Sequence, residues 1–171
     1  MKKFLRIVAL LLATVLLTGC SLINVKKPPV SFSCRDMTMN VPDGLKDVTG
    51  QSDYSSYAFA LDSDDFAVLG INELFADYPK TEEYNTGTYA QMLNMVYGLN
   101  GKIGHREDND YHYIVYTAEA EMGECTCIAG VFRSDKGVWI IQILSTTEAY
   151  DQEESLSYLD SVKFSGLPTF P

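Results

Sequence analysis

Residues 102–146 read KIGHREDNDYHYIVYTAEAEMGECTCIAGVFRSDKGVWIIQILST. Four runs rich in β-branched and aromatic residues follow one another: Lys102 to Glu107, Tyr111 to Met122, Glu124 to Arg133 and Val138 to Thr146. Turn-forming residues separate them, namely Asp108-Asn109-Asp110, Gly123 and Asp135-Lys136-Gly137. Strands joined by such short polar links pair with their neighbours, so the segment predicts an antiparallel meander.

Upstream the period changes. Tyr89, Met92, Leu93 and Val96 recur at helical spacing, Thr88 and Gln91 are spaced as a capping box, and Asn100-Gly101 offers a stop. Further back, Phe66 to Phe75 and Tyr57 to Leu61 read as strands turned by Asp62-Ser63-Asp64-Asp65. Met37, Met39 and Val41 alternate with polar residues up to Pro42-Asp43-Gly44, which ends a first strand. Downstream, Asp151 to Asp160 predicts a closing helix with Asp151 as N-cap, Glu154 three residues on, and Leu156, Leu159 and Val162 as its apolar edge. Strands, helix, strands, helix without βαβ alternation is an α+β order, an antiparallel sheet flanked by helices.

The amino end has a different character. Lys2, Lys3 and Arg6 precede an apolar run from Ile7 to Leu17, and Leu17-Thr18-Gly19-Cys20 follows. The run is short of the roughly 20 residues a membrane span needs and suits a signal peptide. The motif resembles the lipobox of bacterial lipoproteins, which implies cleavage before Cys20 and palmitate-type acyl chains on that residue. The expected layout is a signal peptide at 1–19, a membrane-proximal tether at 20–30, one α+β domain at 31–167 and a tail at 168–171. Lys26 and Lys27 either rest on anionic headgroups or only keep the tether soluble.

The chain of 171 residues carries 13 Lys plus Arg against 23 Asp plus Glu, a net charge of −10. Such a balance argues against nucleic acid as a partner. Its apolar content excludes a disordered chain, and its length suffices to bury a core.

Two stretches carry a resemblance over nearly the whole mature domain. Met37-Thr38-Met39-Asn40-Val41-Pro42-Asp43-Gly44-Leu45 is similar to the opening strand and Pro-x-Gly turn of the PsbP-like fold family, and Leu159-Asp160-Ser161-Val162-Lys163-Phe164 to its closing helix and short strand. That family includes a photosystem accessory protein, a Ran-binding nuclear import factor and many bacterial lipoproteins. The resemblance implies a three-layer sandwich of helices around an antiparallel sheet. It implies no shared catalytic residues, and fold alone does not supply function.

Residues with chemical potential are few. Cys34, Cys125 and Cys127 remain after Cys20; reduced packing cysteines are expected ahead of a Cys34 bridge, and Cys125 and Cys127 on one strand face are too far apart to join. His105 and His112 flank the acidic turn, and with Glu107 they are weak metal candidates. A two-residue turn would put all three on one face. A three-residue loop would oppose Arg106 to His112 and turn the histidines to opposite faces, and this longer loop is the expectation. Asp62, Asp64 and Asp65 lack the EF-hand pattern. Tyr54, Tyr57, Tyr78, Tyr111, Tyr113 and Tyr116 suit half-buried strands ahead of a recognition surface. Nucleophile-elbow, Walker A and zinc-protease motifs are absent, so no catalytic residue and no cofactor is assigned.

The sequence thus leads to the expectation of a lipid-anchored protein on the extracytoplasmic face of a bacterial membrane. It would bind an envelope protein partner, with membrane contact through the lipid on Cys20. The alternative is a small-ligand or metal-binding lipoprotein that uses the His105–His112 hairpin, and an enzyme ranks third.

Overall fold

A computed structural model describes residues 27–120 and 122–165. The expected signal peptide at 1–19, Cys20 and the expected tail at 168–171 lie outside the described residues. Among the described residues ten strands and two α-helices form in the order β1 (Val30–Cys34), β2 (Met37–Val41), β3 (Lys46–Asp47), β4 (Phe59–Asp62), β5 (Phe66–Leu74), α1 (Thr86–Val96), β6 (Lys102–Arg106), β7 (Tyr111–Ala120), β8 (Gly123–Arg133), β9 (Gly137–Thr146), α2 (Gln152–Asp160) and β10 (Lys163–Phe164).

The strands make two sheets, one ordered β3-β4-β5-β9-β8-β7-β6 and a smaller one ordered β1-β2-β10. The predicted meander is present as β6 to β9, each strand antiparallel to the next. β5 then joins the far side of β9 over nine residue pairs, from Phe66 opposite Ser145 to Leu74 opposite Gly137. That junction depends on Gly137, where a Cβ would stand 2.1 Å from the Glu73 carbonyl oxygen. β8 and β9 are central and buried on both faces, which is why their apolar runs are nearly continuous. β2 alternates buried and exposed along its whole length, as the sequence predicts.

Each face of the larger sheet has its own core. On one, Phe59, Val68, Ile128, Phe132, Trp139, Ile141 and Ile143 pack against Met37, Met39 and Val41 of β2 and Leu156, Tyr158 and Leu159 of α2. Trp139 is fully buried, and its indole N–H donates to Asp36 Oδ1 at 3.2 Å. On the other, Ile114, Ala129, Val131, Val138 and Ile140 meet Tyr89, Ala90 and Leu93 of α1.

Several local expectations are corrected. α1 begins at Thr86, because Asn85 is the N-cap and its carboxamide oxygen accepts from the Thr88 N–H at 2.8 Å. Thr88 is therefore a capped donor and not the cap. The helix ends at Val96, with Gly98 in the left-handed region at φ 61°, ahead of the expected stop at Asn100. The strand read from Tyr57 starts at Phe59, since a 3-10 turn at Ser52–Tyr54 and a bend occupy the residues before it. α2 follows its prediction, with Asp151 Oδ1 accepting from the Glu154 N–H at 3.0 Å. β1 was not foreseen; it begins at Val30 and pairs along all of β2.

Candidate functional site

The β6–β7 hairpin has neither register the sequence suggested. His105 lies directly opposite His112, and Arg106 opposite Tyr111, so four residues form the connection. Glu107–Asn109 make a 3-10 turn, and Asp110 closes it in the left-handed conformation at φ 47°. The cause is Asp160 at the end of α2. It accepts from Arg106 Nε at 3.2 Å and Nη2 at 2.5 Å, from the Tyr111 hydroxyl at 2.9 Å and from Asn109 Nδ2 at 3.3 Å. These bonds draw the loop onto α2 and leave room for the wider turn. Burial alone would raise the Asp160 pKa, but the hydrogen bonds from Arg106 and Tyr111 outweigh it and hold the carboxyl below its usual range. Local sequence patterning shows no sign of this network, whose members lie about 50 residues apart.

Directly opposed residues project to one side. His105 and His112 accordingly stack, with ring centroids 4.2 Å apart and planes 18° from parallel, contrary to the expected opposite faces. His112 Nδ1 lies 2.9 Å from Thr86 Oγ1 in the first turn of α1, and His105 Nε2 lies 3.5 Å from Asp110 Oδ1. Gly87 permits this approach. A Cβ there would sit 2.9 Å from His112 Nε2, and the missing side chain lets the ring lie against the helix. Burial is the main cause that lowers the His112 pKa; the neighbouring His105 adds to it and Asp110 opposes it.

The stacked pair forms one wall of an open cleft of about 1090 Å³. Thr86, Thr88 and Gln91 of α1 line it from one side, and Phe132, Lys163 and Phe164 from another. Arg133 borders the cleft but is committed. Its guanidinium donates to the carbonyls of Tyr84 and Glu82 at 2.7 Å each and lies 4.9 Å from the centre of the Phe75 ring.

Thr86 and His112 are a hydroxyl and a base within hydrogen-bond reach, yet the second ring nitrogen faces Gly87 and not a group that would orient it for catalysis. The contact docks hairpin on helix. Metal chemistry fares similarly. In-plane lone pairs of stacked rings run side by side and do not converge, and Glu107 belongs to the turn and not the ladder. Among the described residues no group of three or more His, Cys, Asp or Glu comes together to hold a metal ion.

Cys34, Cys125 and Cys127 are free thiols in this structure. Cys125 and Cys127 share a face of β8, as expected, and burial pushes the Cys127 thiol up to about 12. The Asp62–Asp65 turn is a hairpin tip, closed by the Ser63 N–H donating to the Phe66 carbonyl at 2.9 Å. Of the tyrosines, Tyr111 is fully buried, Tyr113 and Tyr116 are half-buried, and Tyr78 is exposed. No helix among the described residues is long and apolar enough to cross a membrane.

No protein-family model and no curated protein matches the sequence. Among solved structures the chain is similar to the solution structure of cyanobacterial PsbP (CyanoP) from Synechocystis sp. PCC 6803. The TM-score is 0.54 at 10% identity, over 85% of this chain and 97% of that one. The fold is PsbP-like. A crystal structure from Bacteroides thetaiotaomicron VPI-5482 is also similar, with a TM-score of 0.48 at 7% identity, over 82% of this chain and 49% of that one. At these identities the PsbP-like likeness speaks for the arrangement of strands and helices alone.

Proposed function

We propose that this PsbP-like protein is a bacterial lipoprotein, anchored through Cys20 on the extracytoplasmic face of a membrane, that acts by binding an envelope protein partner. The layout fits a three-layer sandwich, with α1 on one face of the larger sheet and α2 with the smaller sheet on the other. The observation that carries the binding role is the open cleft between α1, the β6–β7 hairpin and β10. It is large, its lining mixes polar side chains with Phe132, Val162 and Phe164, and its one hydroxyl–base pair is spent on packing. Crosslinking in native membranes with a photoreactive group at Gln91 tests it. Enrichment of one protein, lost when Thr88 and Lys163 on the same cleft are both replaced by Glu while the probe stays at position 91, is the expected result; a uniform background of adducts would refute it. For the anchor, Cys20→Ala should leave an unprocessed precursor.

A second reading, a small-ligand or metal site on the hairpin, gains one point from the structure: His105 and His112 share a face on the cleft wall. Zinc titration decides it. Micromolar binding abolished by His112→Ala would put this reading first.

A further inference from the structure

Beyond residues 1–35, which hold no Asp or Glu, this acidic chain has one further long stretch without carboxylates. No Asp or Glu occurs between Glu83 and Glu107, although the protein carries 23 of them. The stretch folds into α1, the loop after it and edge strand β6. Its loop corner is also where apolar surface is most exposed. Six large apolar side chains stand out to solvent among the described residues, and four are here: Met95 at 77%, Val96 at 68%, Tyr97 at 70% and Ile103 at 39%.

This corner is built, not frayed. Asn94 Nδ2 donates to the Gly101 carbonyl at 3.1 Å, and the Gly101 N–H donates back to Asn94 Oδ1 at 2.9 Å. The Leu99 N–H donates to the Asn94 carbonyl at 3.0 Å and Asn100 Nδ2 to the Gly98 carbonyl at 3.1 Å. One side-chain amide thus staples both ends of the loop, and Met95, Val96 and Tyr97 are held outward on a fixed backbone. Contiguous exposed apolar side chains on an ordered element mark a contact surface.

We infer that the Met95–Tyr97 corner, with Ile103 beside it, docks on the lipid bilayer that holds the anchor. The inference rests on the lipoprotein reading. A tether from Cys20 to Val30 spans at most about 33 Å, so the domain stays within that reach of the membrane and a face able to contact it is available at high local concentration. A surface rich in carboxylates is repelled by anionic headgroups, and a segment that contributes none of its own is repelled less. Met and Val suit the acyl boundary, and a tyrosine ring with a polar tip suits the headgroup level. A second copy of the chain fits less well, since antiparallel pairing of two β6 edges about Gly104 would set Lys102 against Arg106.

The test uses mature lipidated protein in phosphatidylcholine–phosphatidylglycerol vesicles with bromine on the acyl chains. Tyr97→Trp adds an exposed reporter to the buried Trp139, and the circular dichroism spectrum checks that the fold is kept. The proposal expects the added emission to shift to the blue and lose at least half its intensity to bromine, and Met95→Glu with Val96→Glu to abolish both changes. If the protein floats with vesicles but the added emission stays red and unquenched, the docking proposal is wrong and the anchor stands. If unmodified protein does not float with vesicles, the anchor reading fails and the docking proposal falls with it. A blue shift in native membranes without quenching in protein-free vesicles would show that a protein covers the corner, which also overturns the proposal.

Discussion

At the scale of single residues, Gly87 and His112 fix how the hairpin meets α1. Alanine for glycine inside a helix ordinarily gains about 1 kcal/mol. At Gly87 that gain is opposed, because the new Cβ would lie 2.9 Å from His112 Nε2. Gly87→Ala should therefore fail to stabilise the protein in urea and should shift the imidazole resonances of both stacked histidines. Stabilisation of about 1 kcal/mol with unchanged imidazole signals would refute this packing. His112 also makes stability depend on pH. Its folded pKa lies below the unfolded value of about 6.5, so between the two the unfolded chain binds more protons. The stabilising contribution is complete above about pH 6.5 and is lost as pH falls through the folded pKa. Urea midpoints measured from pH 7.5 down to 5 should drop more for the native chain than for His112→Gln, and equal slopes would contradict the assignment.

At the scale of elements, Asp160 is the joint between the hairpin and α2. Removing it leaves Arg106, Tyr111 and Asn109 without their shared acceptor. The pair is a quarter to a third exposed, at 25% and 34%, so solvent screens it and the cost of Asp160→Ala is about 1–3 kcal/mol. The signature is local: amide exchange from Glu107 to Tyr111 should accelerate while α1 stays protected. Uniform acceleration along the chain would argue that Asp160 has no special hold on the hairpin. This joint also marks where sequence patterning stops informing. The strands β6 to β9 were legible because period-2 alternation and turn residues are local signals, and the Asp151 cap because its donor lies three residues on. The stacked histidines were not, because register there follows from a carboxylate about 50 residues away. The start of α1 was misread for a simpler reason: Asn85, Thr86 and Thr88 are all good N-cap residues, and only the structure shows which carboxamide meets which N–H.

At the scale of the whole molecule, the fold class followed from element order, while the second sheet did not. β1 has weak alternation and did not announce itself, while β10, only two residues long, was legible only through the resemblance of Leu159 to Phe164 to a closing helix and short strand. Both depend on β2: Val30 to Cys34 pair with one edge, and Lys163 and Phe164 with the other. A chain ended at Val162 should lose Phe164 from its contact with Phe132 and open that edge of β2. The expected outcome is a lower melting temperature and faster exchange of the Thr38 and Met37 amides, with β6 to β9 unaffected; an unchanged melting temperature would make β10 ornamental.

That small sheet has a temporal consequence. Its outer strands stand at opposite ends of the described chain, and β2 needs both. During synthesis the meander has all its partners once residue 146 is out, whereas the seam around β2 waits for residue 164. Contacts so distant in sequence form late. A chain threaded amino end first through a pore would therefore stay unsealed, and free to keep moving, until Phe164 had emerged.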